Sequence, residues 1–136
     1  MDKVEIFEVG PRDGLQNQAG FIATADKIKL VQLLVAAGFA RIEVASFVSP
    51  KWVPQMADGA DVLAGIGNVA AEMWALTPNA RGLSAAISAS VEGVAVFGSA
   101  SEGFSRANIN ATVDESLKRF APLVSEAKET GLKVRG

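Results

Sequence analysis

The chain has 136 residues, 49% of them hydrophobic and 21% charged, with a net charge of −2 and a pI near 5.1. That length fits one domain, and the near-neutral charge offers no electrostatic footprint for nucleic acid or an anionic membrane surface. Cysteine and histidine are both absent, which excludes disulfide and thiolate chemistry and removes the commonest general base; any metal site must be built from oxygen, which suits hard cations such as Mg2+ or Mn2+.

The N-terminus "MDKVEIFEVG" interleaves acid and base and has no long apolar segment, so no targeting segment is visible. The apolar runs fall short of the roughly 18 residues a membrane helix needs. A cytoplasmic or organelle-matrix location is the expectation. "VEIFEV" (4–9), rich in β-branched and aromatic residues and ended by Gly10-Pro11, reads as a first strand. "TADKIKLVQLLVAAG" (24–38) reads as a helix, with Thr24 as N-cap, Ile28, Val31, Leu34 and Val35 on one stripe and Gly38 as the stop. "RIEVASF" (41–47) is a second strand, and "SPKWVPQM" (49–56) a proline-bracketed loop carrying Trp52, which serves either as a hydrophobic plug over the neighbouring helix or as a ligand contact. A short helix follows at 58–67, capped by Asp58, then a third strand at 72–77 and a small-residue helix at 80–90. A fourth strand is expected over 93–100, with a loop beyond it. The segment 112–131 is the clearest helix. Thr112 and Glu115 form a capping box, Leu117, Phe120, Leu123 and Val124 make its apolar stripe, Pro122 is expected to kink it, and Gly131 stops it. "LKVR" (132–135) opens a fifth strand.

Strands alternating with helices on short links imply parallel strands joined by right-handed crossovers. Two architectures of the α/β class fit: a small doubly wound sheet, or the first half of a (β/α)8 TIM barrel, whose full length is about 250 residues. In both, sites form beyond the C-terminal ends of the strands. The polar residues there are Arg12, Asp13, Gln16 and Asn17 after strand one, Glu43 and Ser46 on strand two, Thr77 and Asn79 after strand three, Ser99, Ser101, Glu102, Asn108 and Asn110 after strand four, and Arg135 on strand five. Glu43 is the sharpest anomaly. Period two puts Arg41, Glu43 and Ala45 on one strand face, with Ile42 and Val44 on the other. A carboxylate inside a parallel sheet is costly unless paired or ligated. It serves either as a salt-bridge partner of Arg41 or another cation, or as a site residue. Arg12-Asp13 likewise reads either as a turn with a surface ion pair or as a functional pair. "GPRDG" lacks the spacing and lysine of a phosphate loop, and "GIGNVAAE" (65–72) follows a helix where a dinucleotide fingerprint follows a strand.

"EVGPRDGLQN", "IEVASFVSPKWVPQMAD", "LTPN" and "FGSASEGFSRANIN" together resemble the hydroxymethylglutaryl-CoA lyases, within the metal-dependent TIM-barrel lyases and Claisen-type condensing enzymes. An "RDG" after the first strand marks that whole family; "GPRDGLQN" with "SFVSPKWVPQM" is more specific to the lyases. The resemblance implies a partial (β/α)8 barrel of about four and a half β/α units, with parallel strands in the order 1-2-3-4-5. Residues 1–136 would be a single N-terminal half-barrel ending within strand five. It implies cleavage of 3-hydroxy-3-methylglutaryl-CoA to acetyl-CoA and acetoacetate, as in leucine catabolism and ketone-body metabolism, with Mg2+ or Mn2+. Arg12 and Glu43 would be catalytic, Asp13 a metal ligand, and Arg12, Gln16, Ser46, Asn108 and Arg135 substrate-binding. The implied partners are an acyl-CoA substrate, a missing C-terminal half-barrel and further copies in an oligomeric parent. The family draws two histidines, an asparagine and a cysteine of its site from the second half of the barrel, so the chain alone is expected to be inactive. The alternatives are a non-catalytic α/β module binding a small ligand, and a related acyl-CoA condensing synthase, against which "GLQN" and "SFVSPKW" speak.

Overall fold

The computed structural model describes residues 4–136. Five strands, β1 (Phe7–Glu8), β2 (Arg41–Ser46), β3 (Glu72–Leu76), β4 (Gly93–Ala95) and β5 (Lys133–Arg135), form one parallel sheet in the order β1-β2-β3-β4-β5. Between them lie α1 (Thr24–Ala36), α2 (Gly59–Ile66), α3 (Ala80–Ser88), α4 (Glu102–Ile109) and α5 (Val113–Glu129). Right-handed crossovers that always step the same way along a sheet put every helix on one side. One core follows: Val31 of α1, Val62 and Leu63 of α2, Leu83 and Ala86 of α3, and Leu123 and Ala127 of α5 pack on Ile42, Val44, Met73, Ala75 and Val94. A doubly wound sheet would need the order to reverse, so that alternative is excluded.

The opposite face is curled. Flat strands spaced about 4.8 Å apart would hold β1 and β5 roughly 19 Å from each other. Yet the Arg135 guanidinium carbon of β5 lies 4.4 Å from the centre of the Phe7 ring of β1, and its Nη1 donates to Glu43 of β2 at 3.0 Å. A residue at each end of the sheet can meet only if the sheet bends as part of a barrel. Its concave side is filled by Trp74, edge-on to Phe7 at 5.1 Å between centroids. Gly93 makes room for that indole, since a Cβ there would stand 2.5 Å from the ring. At the N-terminal end of the strands Glu72 accepts from Trp74 Nε1 at 3.2 Å and from Arg41 at 3.3 Å, and pairs with Lys133 beyond β4. These partners, Lys133 foremost, hold the Glu72 carboxyl below the usual range against the opposing effect of burial.

Several local expectations are corrected. β1 is confined to two residues, and β4 ends at Ala95, where its pairing with both β3 and β5 stops. The segment expected as loop after β4 contains α4, whose N-cap Ser101 accepts from the Phe104 N–H. Thr24 does not cap α1: Ala23 holds that position, and the Thr24 hydroxyl donates to Asp58 at 2.8 Å. Asp58 stands at the N-cap of α2, but its carboxylate is engaged by Thr24 and Lys27 instead of the helix. In α5 the Thr112–Glu115 capping box forms and the helix runs on through Pro122. Leu117 is 62% exposed, because the buried stripe runs through Ser116, Leu123 and Ala127, one position round from it.

Candidate active site

The turn after β1 carries the first site residues. It is a single wide helical turn over Gly10–Gly14, in which the Leu15 N–H reaches back to the Gly10 carbonyl. Such i to i+5 turns are often found where a side chain has to be aimed. The Glu8 side chain accepts from the Gly10 N–H at 2.6 Å, and a Cβ at position 10 would lie 2.8 Å from that same oxygen, so a larger residue there would displace the Glu8 side chain. The turn presents Arg12 inward: Nε donates to Glu43 Oε1 at 2.6 Å and Nη1 to Asp13 Oδ1 at 3.0 Å.

Glu43 comes from the middle of β2 and is wholly buried. Its two oxygens each accept from a guanidinium, Arg12 on one side and Arg135 at 3.0 Å on the other. Arg41 is not its partner; that side chain pairs with Glu5 and Glu72 nearer the N-terminal end of the strands. Two guanidiniums compensate the buried carboxylate, with Asp13 on Arg12 balancing the second cation, which is what permits Glu43 to sit in the sheet. The result is a rigid row of Asp13, Arg12, Glu43 and Arg135, with Phe7 beneath the last.

Ser46 reaches this face by an irregularity. Glu43 pairs with Trp74, but the next rung joins Ala45 to Ala75, leaving Val44 as an extra residue. Strict period two would put Ala45 beside Glu43 and Ser46 behind it. After the bulge Val44 and Ala45 both face the helices, where a Cβ on Gly59 would touch Ala45 at 2.9 Å. Ser46 then pairs with Leu76, outside the helix-side core. Bulges re-aim side chains in this way beside sites. The Ser46 Oγ and Gln16 Oε1 are buried and have no hydrogen-bond partner. Buried polar atoms are rarely left so.

The polar residues after β3 and β4 do not join. Asn79 caps α3 by accepting from the Gly82 N–H at 2.9 Å. Thr77 is directed to the Ala95 carbonyl. Ser101 caps α4 and Asn110 closes it in the left-handed conformation. Glu102 accepts from the Val113 N–H. Asn108 is exposed on α4 and makes no hydrogen bond to Arg12, Asp13, Glu43 or Arg135. Trp52 is 86% exposed, which overturns its reading as a plug. Among the described residues no group of three or more His, Cys, Asp or Glu side chains converges as a metal site. The Asp13 carboxylate, 59% exposed with one oxygen toward Arg12, is the one in this row left open to a cation. Sequence reasoning missed Phe7, Lys27 and Gln55; the one available signal was Lys27 lying one turn before the buried Val31 on α1.

The family model described as HMGL-like matches residues 3–136. The chain belongs to the HMGL-like family. It is 53% identical over 135 residues to the 3-hydroxy-3-isohexenylglutaryl-CoA/hydroxy-methylglutaryl-CoA lyase of Pseudomonas aeruginosa, covering 98% of this chain and 45% of that protein. To the mitochondrial hydroxymethylglutaryl-CoA lyase of Bos taurus it is 51% identical, over 98% of this chain and 42% of that protein. The crystal structure of hydroxymethylglutaryl-CoA lyase from Pseudomonas aeruginosa superposes with a TM-score of 0.95, at 53% identity, over 98% of this chain and 45% of that one. A lyase from Acinetobacter baumannii, solved with coenzyme A and 3-methylmalate, superposes at 0.87 with 34% identity, over 96% of this chain and 43% of that one. The chain thus spans less than half the length of these relatives. The family resemblance and the half-barrel architecture expected from the sequence both hold. Among the described residues no helix is long and apolar enough to cross a membrane.

Proposed function

We propose that this chain supplies the Arg12 side of a lyase site that cleaves 3-hydroxy-3-methylglutaryl-CoA to acetyl-CoA and acetoacetate. The observation that carries the reading is the Glu43 carboxylate gripped by Arg12 and Arg135 beside two buried polar atoms, Ser46 Oγ and Gln16 Oε1, that lack partners. In the reaction the C3 hydroxyl loses its proton and becomes the ketone of acetoacetate. The electron pair of the broken C2–C3 bond passes to the thioester, giving an enolate that takes up a proton as acetyl-CoA. Negative charge therefore grows on the thioester oxygen, and a guanidinium already fixed by Glu43 and Asp13 stabilises it without reorganising. Gln16, Ser46, Asn108 and Arg135 are the substrate-binding residues in this reading, Ser46 and Gln16 completing their hydrogen bonds on the substrate. Acyl-CoA as the ligand class is supported by the coenzyme A with which the Acinetobacter baumannii relative was solved.

The residues here fit Mg2+ or Mn2+ only as a contributor. Such ions take near-octahedral oxygen coordination, and this row offers them the Asp13 carboxylate alone, so the rest must come from a complementary half-barrel. When bound, the cation supplies Lewis acidity toward the C3 hydroxyl. A mitochondrial-matrix or cytoplasmic compartment and an oligomeric assembly fit the reading.

The test joins this chain to the remaining portion of the Pseudomonas aeruginosa relative and follows acetoacetate in a coupled assay with Mg2+. The fusion is expected to turn over, and Arg12→Gln and Asp13→Asn each to lose about 100-fold or more in kcat. The chain without that portion is expected to show none. A folded fusion that binds acyl-CoA but makes no acetoacetate overturns the reaction assigned here.

A further inference from the structure

One buried cation is not used by the row described above. Lys27 is 4% exposed, where lysine ordinarily reaches water. Its ammonium donates to the Gln55 backbone carbonyl and to Asp58 Oδ1 at 2.7 Å, and stands 4.4 Å from the centre of the Phe21 ring. The second Asp58 oxygen accepts from the Thr24 hydroxyl at 2.8 Å. Gln55, buried as well, extends the node: its Oε1 accepts from the Ile22 N–H at 2.9 Å and its Nε2 donates to the Gly20 carbonyl at 2.7 Å. The loop leading from β1 to α1 and the loop leading from β2 to α2 are thereby tied through one ammonium and one amide.

Those two loops wall a cleft of about 320 Å³ lined by Gln16–Phe21 and Trp52–Gln55. It includes Gln16, which follows the Arg12–Asp13 turn in the chain and whose Oε1 is unpartnered. Trp52 and Phe21 show large exposed apolar surface at its rim. A loop is free to change its distance from a neighbour unless something buried fixes it. Here the fixing group is a charge whose removal would leave Asp58 without its cation and the Gln55 carbonyl without its donor, a cost that favours the tied spacing. Reacting groups need their supports held closely, since a displacement near 1 Å can cost about 100-fold.

We propose that Lys27 is a positioning residue: acting through Gln55 and Asp58, it sets the spacing of the two loops that wall this cleft, and so governs how well the thioester substrate is held, with little effect on the bond-breaking step. The inference rests on the lyase reading for what enters the cleft. The test uses the fusion described above with Lys27→Met, a substitution that keeps length and removes the charge. Three quantities are read: tryptic cleavage after the exposed Lys51, amide exchange at Ile22, and the kinetic constants for the acyl-CoA, with amide exchange at Val94 as the control for global stability. Cleavage and Ile22 exchange are expected to speed up roughly tenfold or more and KM to rise about as much, while kcat stays within about threefold and Val94 is unchanged. Loops as protected as in the parent overturn the proposal, and so do loosened loops with an unchanged KM. Should Lys27→Met fail to fold, Asp58→Asn keeps the size of the side chain and removes the charge that holds the Lys27 ammonium. It carries the same expectation for Ile22 exchange and KM, and no change in either defeats the proposal. If the parent fusion never turns over, the lyase reading falls while cleavage and exchange still decide whether Lys27 holds the loops.

Discussion

Glu43 is tolerable inside a parallel sheet because two guanidiniums approach it from different elements, one from the turn after β1 and one from β5. Replacing it with glutamine keeps the shape but leaves one acceptor oxygen, and turns an NH2 group toward a guanidinium. Breaking a fully buried pair costs about 3–5 kcal/mol, and since Arg135 is about half exposed the loss for Glu43→Gln is expected nearer ~2 kcal/mol. Urea denaturation of the chain measures it, and turnover of the fusion should fall with it. Ser46 makes the opposite case. Its buried hydroxyl has nothing to bond, so Ser46→Ala should leave the chain as stable as before or up to about 1 kcal/mol more stable. In the fusion the same change should raise KM, because the substrate then loses its donor. A Ser46→Ala chain that melts well below the parent would show that the hydroxyl is satisfied by the protein itself.

Among the elements, α5 shows most directly how local chemistry is converted into stability. Its capping box satisfies the first orphan N–H groups from both sides: Thr112 Oγ1 accepts from the Glu115 N–H at 3.0 Å, and Glu115 accepts from the Thr112 N–H at 2.7 Å. The Thr112 backbone N–H, and after it the Thr112 side chain, hold the Glu115 carboxyl below the ordinary glutamate value of 4.5. A carboxyl lowered by folding contributes stability above its unfolded pKa, and that contribution is lost as the pH falls through the folded pKa. The same sign holds for Glu72 with Lys133. The chain is therefore expected to lose stability as pH drops below about 4.5. Glu115→Gln, which keeps the cap but cannot titrate, should make the chain slightly less stable at neutral pH and flatten part of the acid decline. Denaturation midpoints at pH 7 and pH 3 check this, and parallel profiles for parent and variant would remove Glu115 from the account.

At the scale of the whole molecule the dominant fact is an unclosed sheet. Among the described residues β1 pairs only with β2, and β5 only with β4. Each outer edge leaves backbone groups unpaired, and Val4 and Ile6 stand exposed beside β1. Edges of this kind recruit further strands. The chain by itself is expected to self-associate as its concentration rises, and sedimentation velocity should show the average mass increasing from 14.1 kDa. Fusion to the complementary portion covers both edges and should abolish that trend. A chain that stays monomeric at high concentration would mean that the short edges protect themselves.

The sequence by itself determined the alternation of strands and helices, their parallel sense, the family, and the placement of Arg12 and Asp13 just beyond the first strand. The family came from the resemblance of four quoted motifs; the others follow from local signals: apolar periodicity, Gly and Pro punctuation, a capping box. Each is written within a dozen or so neighbouring residues. Tertiary structure decided the rest. Which cation meets Glu43 depends on how far the sheet curls, since Arg135 is 92 positions away in the chain and Arg41, two positions away, is claimed by Glu5 and Glu72. Ser46 reaches the site face only through the bulge at Val44, which cross-strand pairing with β3 reveals and period two does not. Leu117 and Trp52 read as buried or plugging residues yet stand exposed, while Lys27, which sequence reasoning passed over, is buried between two loops. Periodicity records which side of its own element a residue occupies; what waits on that side is set by how the elements pack, and only the folded chain holds that information.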